Sequence, residues 1–409
     1  MKKLFAIATL IAGTLVMVSC GDDDSTTIIE EVEVIEGGLG VLVTSNITSD
    51  VTWSADSIYV LDDRIAVESG ATLTIEAGTI IKGNAGTGAN ATALIIAQGA
   101  TLNAAGTASA PIIFTSRADE ITVSDVAAGN FASPNLSDDV DGLWGGLIVL
   151  GNAPIFVSGD AATANIEGIP PSDDNGIYGG STAADNSGTI TYVSVRHGGS
   201  NIGEGNEING ITFGGVGSGT TVNHIEVIAN QDDGVEFFGG TVNVSHVLVW
   251  NNGDDAVDTD QGYAGTIDNG IIINPGDKAF ELDGGEGSDD TQTSVHTISN
   301  FSVELGGSAG AIDVDDDTNV TLSGIYFYGM TEDTGDSYDM TDGKTGITNT
   351  FTNIEIIDTW TDDDDEPVTT APGDFLDAAK STIVSSPTNA GANEAQFTGW
   401  TVADARGAF

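Results

Sequence analysis

Short runs of alternating apolar residues, each closed by Gly, Asn or Asp, recur along most of the chain, and between Thr221 and Gly285 they become a repeat. Three lines align: VNHIEVIANQDDGVEFFGG from Val222, VSHVLVWNNGDDAVDTDQG from Val244 and IDNGIIINPGDKAFELDGG from Ile267. Each is an apolar strand, an acidic turn and a second short strand carrying an acid. The turn acids Asp232, Asp254 and Asp277 are 22 and 23 residues apart (254 − 232 and 277 − 254). That period is too short for a strand-plus-helix unit, so the pattern predicts successive coils of a parallel β-helix. Alternate side chains of a strand face opposite ways. Val235, Phe237, Val257, Thr259, Phe280 and Leu282 therefore point inward, and Glu236, Asp258 and Glu281 point out, one above another. Asp313 extends this column from AIDVDDD, and Asp260, Asp283 and Asp315 form a second.

The rest of the chain fits an all-β, right-handed parallel β-helix with loop excursions. N-terminal coils begin near Ile65, with the phrase GATL at Gly70 and again at Gly99; an excursion spans 118–140, and GLWGGLIVLGNAPI from Gly142 reads as a buried strand. A polar insert over 167–187 is a loop of the kind that meets partners. Further strands follow at ISNFSVELGG, VTLSGIYFYG and FTNIEIIDTW. Beyond the acid run Asp362–Glu366, GDFLDAAKS predicts a short helix capped by Asp374. The tail QFTGWTVADARGAF is expected to cover the open C-terminal end, whose last coil would otherwise present unpaired backbone groups. The predicted organisation is a leader over 1–19, an acidic tether over 20–48, the β-helix over 49–360, and an acidic linker with a cap over 361–409.

Charge adds a constraint. Ten basic residues stand against 62 acidic ones in 409, a formal charge of −52, which argues against nucleic acid and anionic membrane surfaces as direct partners and favours cations. Stacked carboxylates about 4.8 Å apart repel by roughly 1 to 3.5 kcal/mol for effective dielectrics of about 80 down to 20. Bound cations, raised carboxyl pKa values, salt or splayed side chains must offset this. The single cysteine, Cys20, rules out internal disulfides. It follows Lys2, Lys3 and an apolar run from Leu4 to Val18, a secretory leader too short to span a bilayer comfortably. LVMVSC resembles the lipobox of bacterial lipoproteins and implies a lipidated Cys20; the GDDD after it looks like the acidic signal of Bacteroidota-type lipoproteins bound for the outer face of the outer membrane.

From GLWGGLIVLGNAPI through IEGIPPSDDNGIYGG, YVSVRHGGSNIGEGNEINGITFGG, NQDDGVEFFGG and NNGDDAVDTDQGY to the closing GWT, the chain resembles a family of secreted β-helix lipoproteins of marine and gut Bacteroidota, related to a leptospiral outer-membrane lipoprotein family. The resemblance covers roughly Leu61 to the end. It implies a pectate-lyase-like fold and a surface location, often beside TonB-dependent receptors, but brings no catalytic residue set.

Three constellations could carry chemistry. Asp232, Asp233, Asp254, Asp255, Asp258 and Asp277 offer hard oxygen ligands on one edge, suited to calcium, with a solvated acidic face as the alternative. Aligned coils also place Tyr192, His224 and His246 in one outward column and Arg196, Ile228 and Trp250 in the next. Such a face could stack and hydrogen-bond sugar rings, or could lie beneath a covering loop. For a lyase, Lys278 and Arg196 are the bases in reach, although Lys278 also reads as a counter-ion within the acids. The GxSxG at Gly306–Gly310 lacks the helix its elbow needs, and four scattered histidines do not suggest zinc. The expected function is a surface-exposed, non-catalytic outer-membrane lipoprotein binding glycan or cation, accessory to a TonB-dependent transporter. The alternatives are a calcium-dependent polysaccharide lyase or glycoside hydrolase acting on acidic glycans, and an adhesin.

Overall fold

Apolar residues three apart, rather than two, mark the long strands of this protein: Ile190 and Val193, Val222 and Ile225, Val244 and Val247, Ile298 and Phe301, Leu322 and Ile325 are all buried in one core. A flat strand cannot turn both members of such a pair inward. Between the members of each pair sits a residue near the left-handed conformation: Tyr192 at φ 50°, His224 at 52°, His246 at 61°, Asn300 at 61° and Gly324 at 70°; Asn269 at 61° and Asn353 at 52° hold the same position in their strands. The bend rotates the second half of each strand so that both halves face the core. At the tyrosine and histidines it costs roughly 1–2 kcal/mol each, which the burial of both flanking apolar residues offsets.

The structure, a computed structural model, describes residues 31–35, 38–200, 208–288, 295–335 apart from 308 and 316, 338–341, and 348–409 apart from 363 and 365. The leader, Cys20 and the GDDD run lie outside the described residues, as does Ser308 of the GxSxG phrase. Two parallel ladders carry the fold. A 16-stranded sheet runs through the bent strands Gly188–Arg196, Thr221–Ile228, Asn243–Trp250, Thr266–Ile273, His296–Glu304, Val320–Tyr328 and Thr350–Ile357. An eight-stranded sheet stacks Arg64–Val67, Ala93–Ile96, Leu147–Leu150, Ile211–Gly214, Val235–Phe238, Val257–Asp260, Lys278–Leu282 and Gly310–Val314. This is the parallel β-helix the repeat predicts, with one apolar column inside it.

The described ladder is longer than the expected 49–360. Gly38–Val43, placed in the tether by sequence, pairs in parallel with Ile58–Leu61, and Thr382–Val384 pairs with the strand Thr350–Ile357. The expected helix at GDFLDAAKS is instead a series of turns, with Asp374 accepting from the Ala371 N–H at 2.6 Å.

Two excursions fold back against the outside. The first, after Ser116, carries a short helix Val123–Ala127 with a Thr122–Asp125 capping box, and closes over Ile58, Val60, Ile80 and Ile113. Lys82, pointing out of the sheet, is buried there and donates to the carbonyls of Asp119 and Ile121 at 2.6 and 2.9 Å. The second brings Ile155, Val157, Ile166, Ile169 and Tyr178 onto the outer face of the eight-stranded sheet, over Ala66, Ile95, Ile148 and Phe238. Ile169 and Tyr178 of the insert expected to meet partners are part of this folded cover.

The C-terminal tail corrects the sequence reading most. It lies along the outer face of the 16-stranded sheet instead of over the end of the solenoid. Glu355, in the last bent strand, accepts from the Thr388 and Asn389 N–H groups at 2.7 and 3.1 Å. The tail then steps back coil by coil: Gly391 N donates to Gly324 O, Ala392 N to Ser302 Oγ, Asn393 N to Asn269 Oδ1, and Val402 N to Glu226 Oε1 at 2.7 Å. Arg406 closes it on the first excursion, with Nε 3.0 Å from Asp138 Oδ2. Ser302, Glu226 and Glu355 occupy one register column, together with Leu248 and Ile271. The tail therefore reads the solenoid lengthwise.

Candidate metal centre

The outward column of the eight-stranded sheet changes character along the axis. In register it runs Ala66, Ile95, Ile148, Thr212, Glu236, Asp258, Glu281, Asp313. Its apolar half lies under the second excursion, whose margin still reaches the coils of Glu236 and Asp258 through Phe238 and Gln261. One turn earlier in each coil runs a parallel column, Asn209, Asp233, Asp255, Lys278, fixed by the same pairings. Positions 22 or 23 residues apart in sequence thus become neighbours at the inter-strand spacing of about 4.8 Å.

Carboxylate oxygens draw together in three overlapping groups: Asp232, Asp233 and Asp254; Asp233, Glu236 and Asp258; and Asp254, Asp255 and Asp277. Within each group one oxygen from every residue lies within 4.8 Å of the others. Two oxygens on opposite sides of a calcium ion, each about 2.4 Å from it, would be about 4.8 Å apart. Each group therefore fits inside one coordination sphere. All six sequence-selected aspartates belong to these groups. Glu236, placed in the acidic column but not among the ligands, joins Asp233 and Asp258; its register with Asp258 was the available signal.

Burial distinguishes the middle group. Glu236 and Asp258 retain 6% and 8% of their accessible surface, and Asp233 8%, so the column expected to be solvated is sheltered at this point. Asp258 Oδ1 is sealed from solvent with no N–H or hydroxyl donor, its carboxyl paired only with that of Glu236, and the Oδ1 of buried Asn209 is likewise without a donor. The Asn209 amide meanwhile donates to Glu236 Oε2 and to Glu167 Oε1. Orphaned buried acceptors are costly, about 1–3 kcal/mol each and more for a charge. Here two of them accompany three carboxyls with no basic side chain among the ladder partners. The next coil does carry a base. Lys278 Nζ binds Asp277 Oδ1 at 2.9 Å, and its backbone N–H donates to Asp255 Oδ1 at 2.6 Å.

Electrostatics follow from this geometry. Burial, then the charge of Asp258, Asp232 and Asp255, pushes Asp233 well above the usual carboxyl range. Burial and Asp258 do the same to Glu236, and burial and Glu281 to Asp258. Asp255 rises to about 9 by burial and the adjacent Glu281. In the second column, burial takes Asp260 to about 7 and Asp283 to about 6, with Glu281 adding to the latter. Without a cation, Asp233, Glu236, Asp255 and Asp258 meet burial and like-charge repulsion by keeping protons at neutral pH.

The aromatic face is aligned but not open. Tyr192 stacks on His224 at 4.2 Å, and His224 lies 4.3 Å from His246. Arg196, Ile228 and Trp250 form the adjoining register column. The tail covers both columns: Trp400 stands edge-on to Tyr192 at 5.4 Å, and Phe397 edge-on to His246 at 6.3 Å. These rings occupy the positions a sugar would need, so the expected ligand-binding face is an internal joint. Burial, with His246 beside it, lowers the His224 pKa. Arg196 is wholly buried, donating through Nη1 to Phe131 O and lying 3.9 Å from Glu226 Oε2. Enclosure removes it as a base for a polymeric substrate. At Lys278 burial works against the charge, but Asp277 outweighs it and the pKa is raised, opposite to what a proton acceptor requires.

Residues 45–403 match the model of the pectate-lyase-like β-helix domain. The chain belongs to that family. No curated protein and no solved structure matches it. Membership agrees with the stacked parallel ladders and leaves the chemistry of this member to its own side chains.

Proposed function

We propose that this pectate-lyase-like β-helix protein is a non-catalytic binding protein whose acidic sheet face holds divalent cations, calcium first among them. The middle group, Asp233, Glu236 and Asp258, forms the innermost site. The observation that carries the reading is the Asp258 carboxyl, sealed from solvent with no donor to its Oδ1 and with one oxygen within 4.8 Å of oxygens of Asp233 and Glu236. A hard dication would satisfy that oxygen, displace the protons and convert repulsion into coordination. The outer groups would share Asp233 and Asp254 with their neighbours, forming a short chain of sites along the axis.

Calorimetric titration of chelator-treated protein with calcium tests the proposal. The expected result is saturable binding, a rise in melting temperature and proton release. A melting temperature indifferent to both chelator and calcium at low salt would remove it. Because the aromatic face is occupied by the tail, any glycan would meet the acidic face, where bound calcium could bridge to uronate carboxylates. Lipid attachment at Cys20, exposure on the outer membrane and service to a TonB-dependent transporter complete the proposal, resting on the leader, the GDDD run and the resemblance of the repeats. Replacing Cys20 with Ala should move the protein from the membrane to the soluble fraction. Unchanged membrane recovery would exclude that anchor.

A further inference from the structure

A second feature lies away from the acidic ladder, at the C-terminal end of the solenoid. There a cleft of about 930 Å³ is bounded by the turn 331–335, by Tyr338, by Trp360 and by Gly373, Asp374 and Phe375. Its volume is in the range of small-molecule sites. The hairpin of Thr359–Thr361 with Pro367–Thr369 carries Trp360, whose ring meets Phe375 edge-on at 6.0 Å. Tyr338 spans towards the opposite rim, its hydroxyl donating to Gly373 O at 3.4 Å. Aromatic residues therefore line the cleft together with three acidic ones, Glu332, Asp333 and Asp374, the last also accepting from the Ala371 N–H, and with no basic residue among the described lining residues.

We propose that this cleft binds a small organic cation, an ammonium group carried on an apolar or sugar body. Aromatic faces and carboxylates both attract such a cation. A bare metal ion fits less well: the carboxylate groups that come close enough to share an ion, among the described residues, include none of these three. An anionic or neutral ligand would leave the charges uncompensated. None of the proposed metal ligands lines this cleft; they lie on coils earlier in the stack, while the turn 331–335 rests on the coil of Asp313 through the Gly335 N–H, which donates to Ala309 O.

The probes are benzyltrimethylammonium and its neutral counterpart benzyl alcohol, titrated calorimetrically at low salt with calcium in excess, so that the acidic ladder is already screened. A fully deacetylated chitosan trimer and its N-acetylated form supply the sugar-borne arm. The expected result is binding of at least one cationic member, none by the neutral ones, and affinity about fivefold weaker in the double variant Glu332→Gln/Asp333→Asn. Both residues are exposed, so this variant keeps the fold, and it leaves the ladder intact. Equal binding by variant and wild type would locate the cation elsewhere and overturn the proposal. So would equal binding of the neutral probes, or no binding of either cation.

Discussion

Replacing Asp258 with Asn separates the two roles assigned to the acidic column. Asparagine keeps the shape and oxygen acceptor of the carboxyl but cannot ionise. In the folded chain Asp258 is flanked in register by Glu236 and Glu281. Two ionised neighbours at about 4.8 Å would oppose its charge by about 2 to 7 kcal/mol in all. Its raised pKa reflects burial and the charge of Glu281, against a side-chain hydrogen bond with Glu236 that lowers it. A carboxyl raised in the fold binds more protons folded than unfolded, so stability present at low pH is lost as pH climbs from the unfolded value near 4. For the groups with defined values the loss extends through about 6 at Asp283, about 7 at Asp260 and about 9 at Asp255. Calcium-free Asp258→Asn should therefore match wild type near pH 5 and exceed it by about 1–3 kcal/mol at pH 8 and low salt. With calcium at a hundred times its dissociation constant, wild type should gain about 2.7 kcal/mol and the variant much less, cancelling or reversing the variant's lead. Thermal melts at the two pH values, with calcium and with chelator, read this out. A variant that is no more stable than wild type without calcium, and gains as much with it, would refute the reasoning.

Three further outcomes are expected. Glu226→Ala leaves Arg196 buried without its carboxylate and removes the acceptor for the Val402 and Ala403 N–H groups. It should cost about 3–5 kcal/mol and expose the tail to protease, which limited digestion followed by mass spectrometry would show. Gly270→Ala places a methyl group where the Phe301 ring lies, so denaturant melts should show a loss of about 1–3 kcal/mol, and an unchanged midpoint would mean that the core column is looser than described. Calcium affinity should strengthen as pH rises from 5 to 8, because the ion displaces protons from groups with raised pKa values; a flat profile by calorimetry would contradict those shifts.

The columns were readable because a fixed period of 22 or 23 residues and strict alternation determine which side chains stack. Val235, Val257 and Phe280 inside, and Glu236, Asp258 and Glu281 outside, follow from those two facts. The long bent strands were less legible. Tyr192, His224 and His246 adopt left-handed conformations that their side chains do not advertise; Asn269, Asn300, Gly324 and Asn353 in the same column carry the usual signal. Long-range covers were not legible at all. Nothing periodic in Phe397–Phe409 says that it returns along the sheet to Glu226 and Asp138, and so the sequence left undecided whether the face of Tyr192, Arg196 and Trp250 was free or covered, and by what. For the same reason Glu236 and Asp258 looked solvated, since their burial depends on surroundings assembled from distant segments.

Diffraction from crystals grown in calcium and then in manganese, with anomalous maps calculated at the manganese edge, tests the central claim most directly. The account predicts a peak bounded by Asp233, Glu236 and Asp258, lost in crystals of the Asp258→Asn variant. Clear density for these three side chains with no peak among them, under conditions where metal is bound elsewhere, would contradict it.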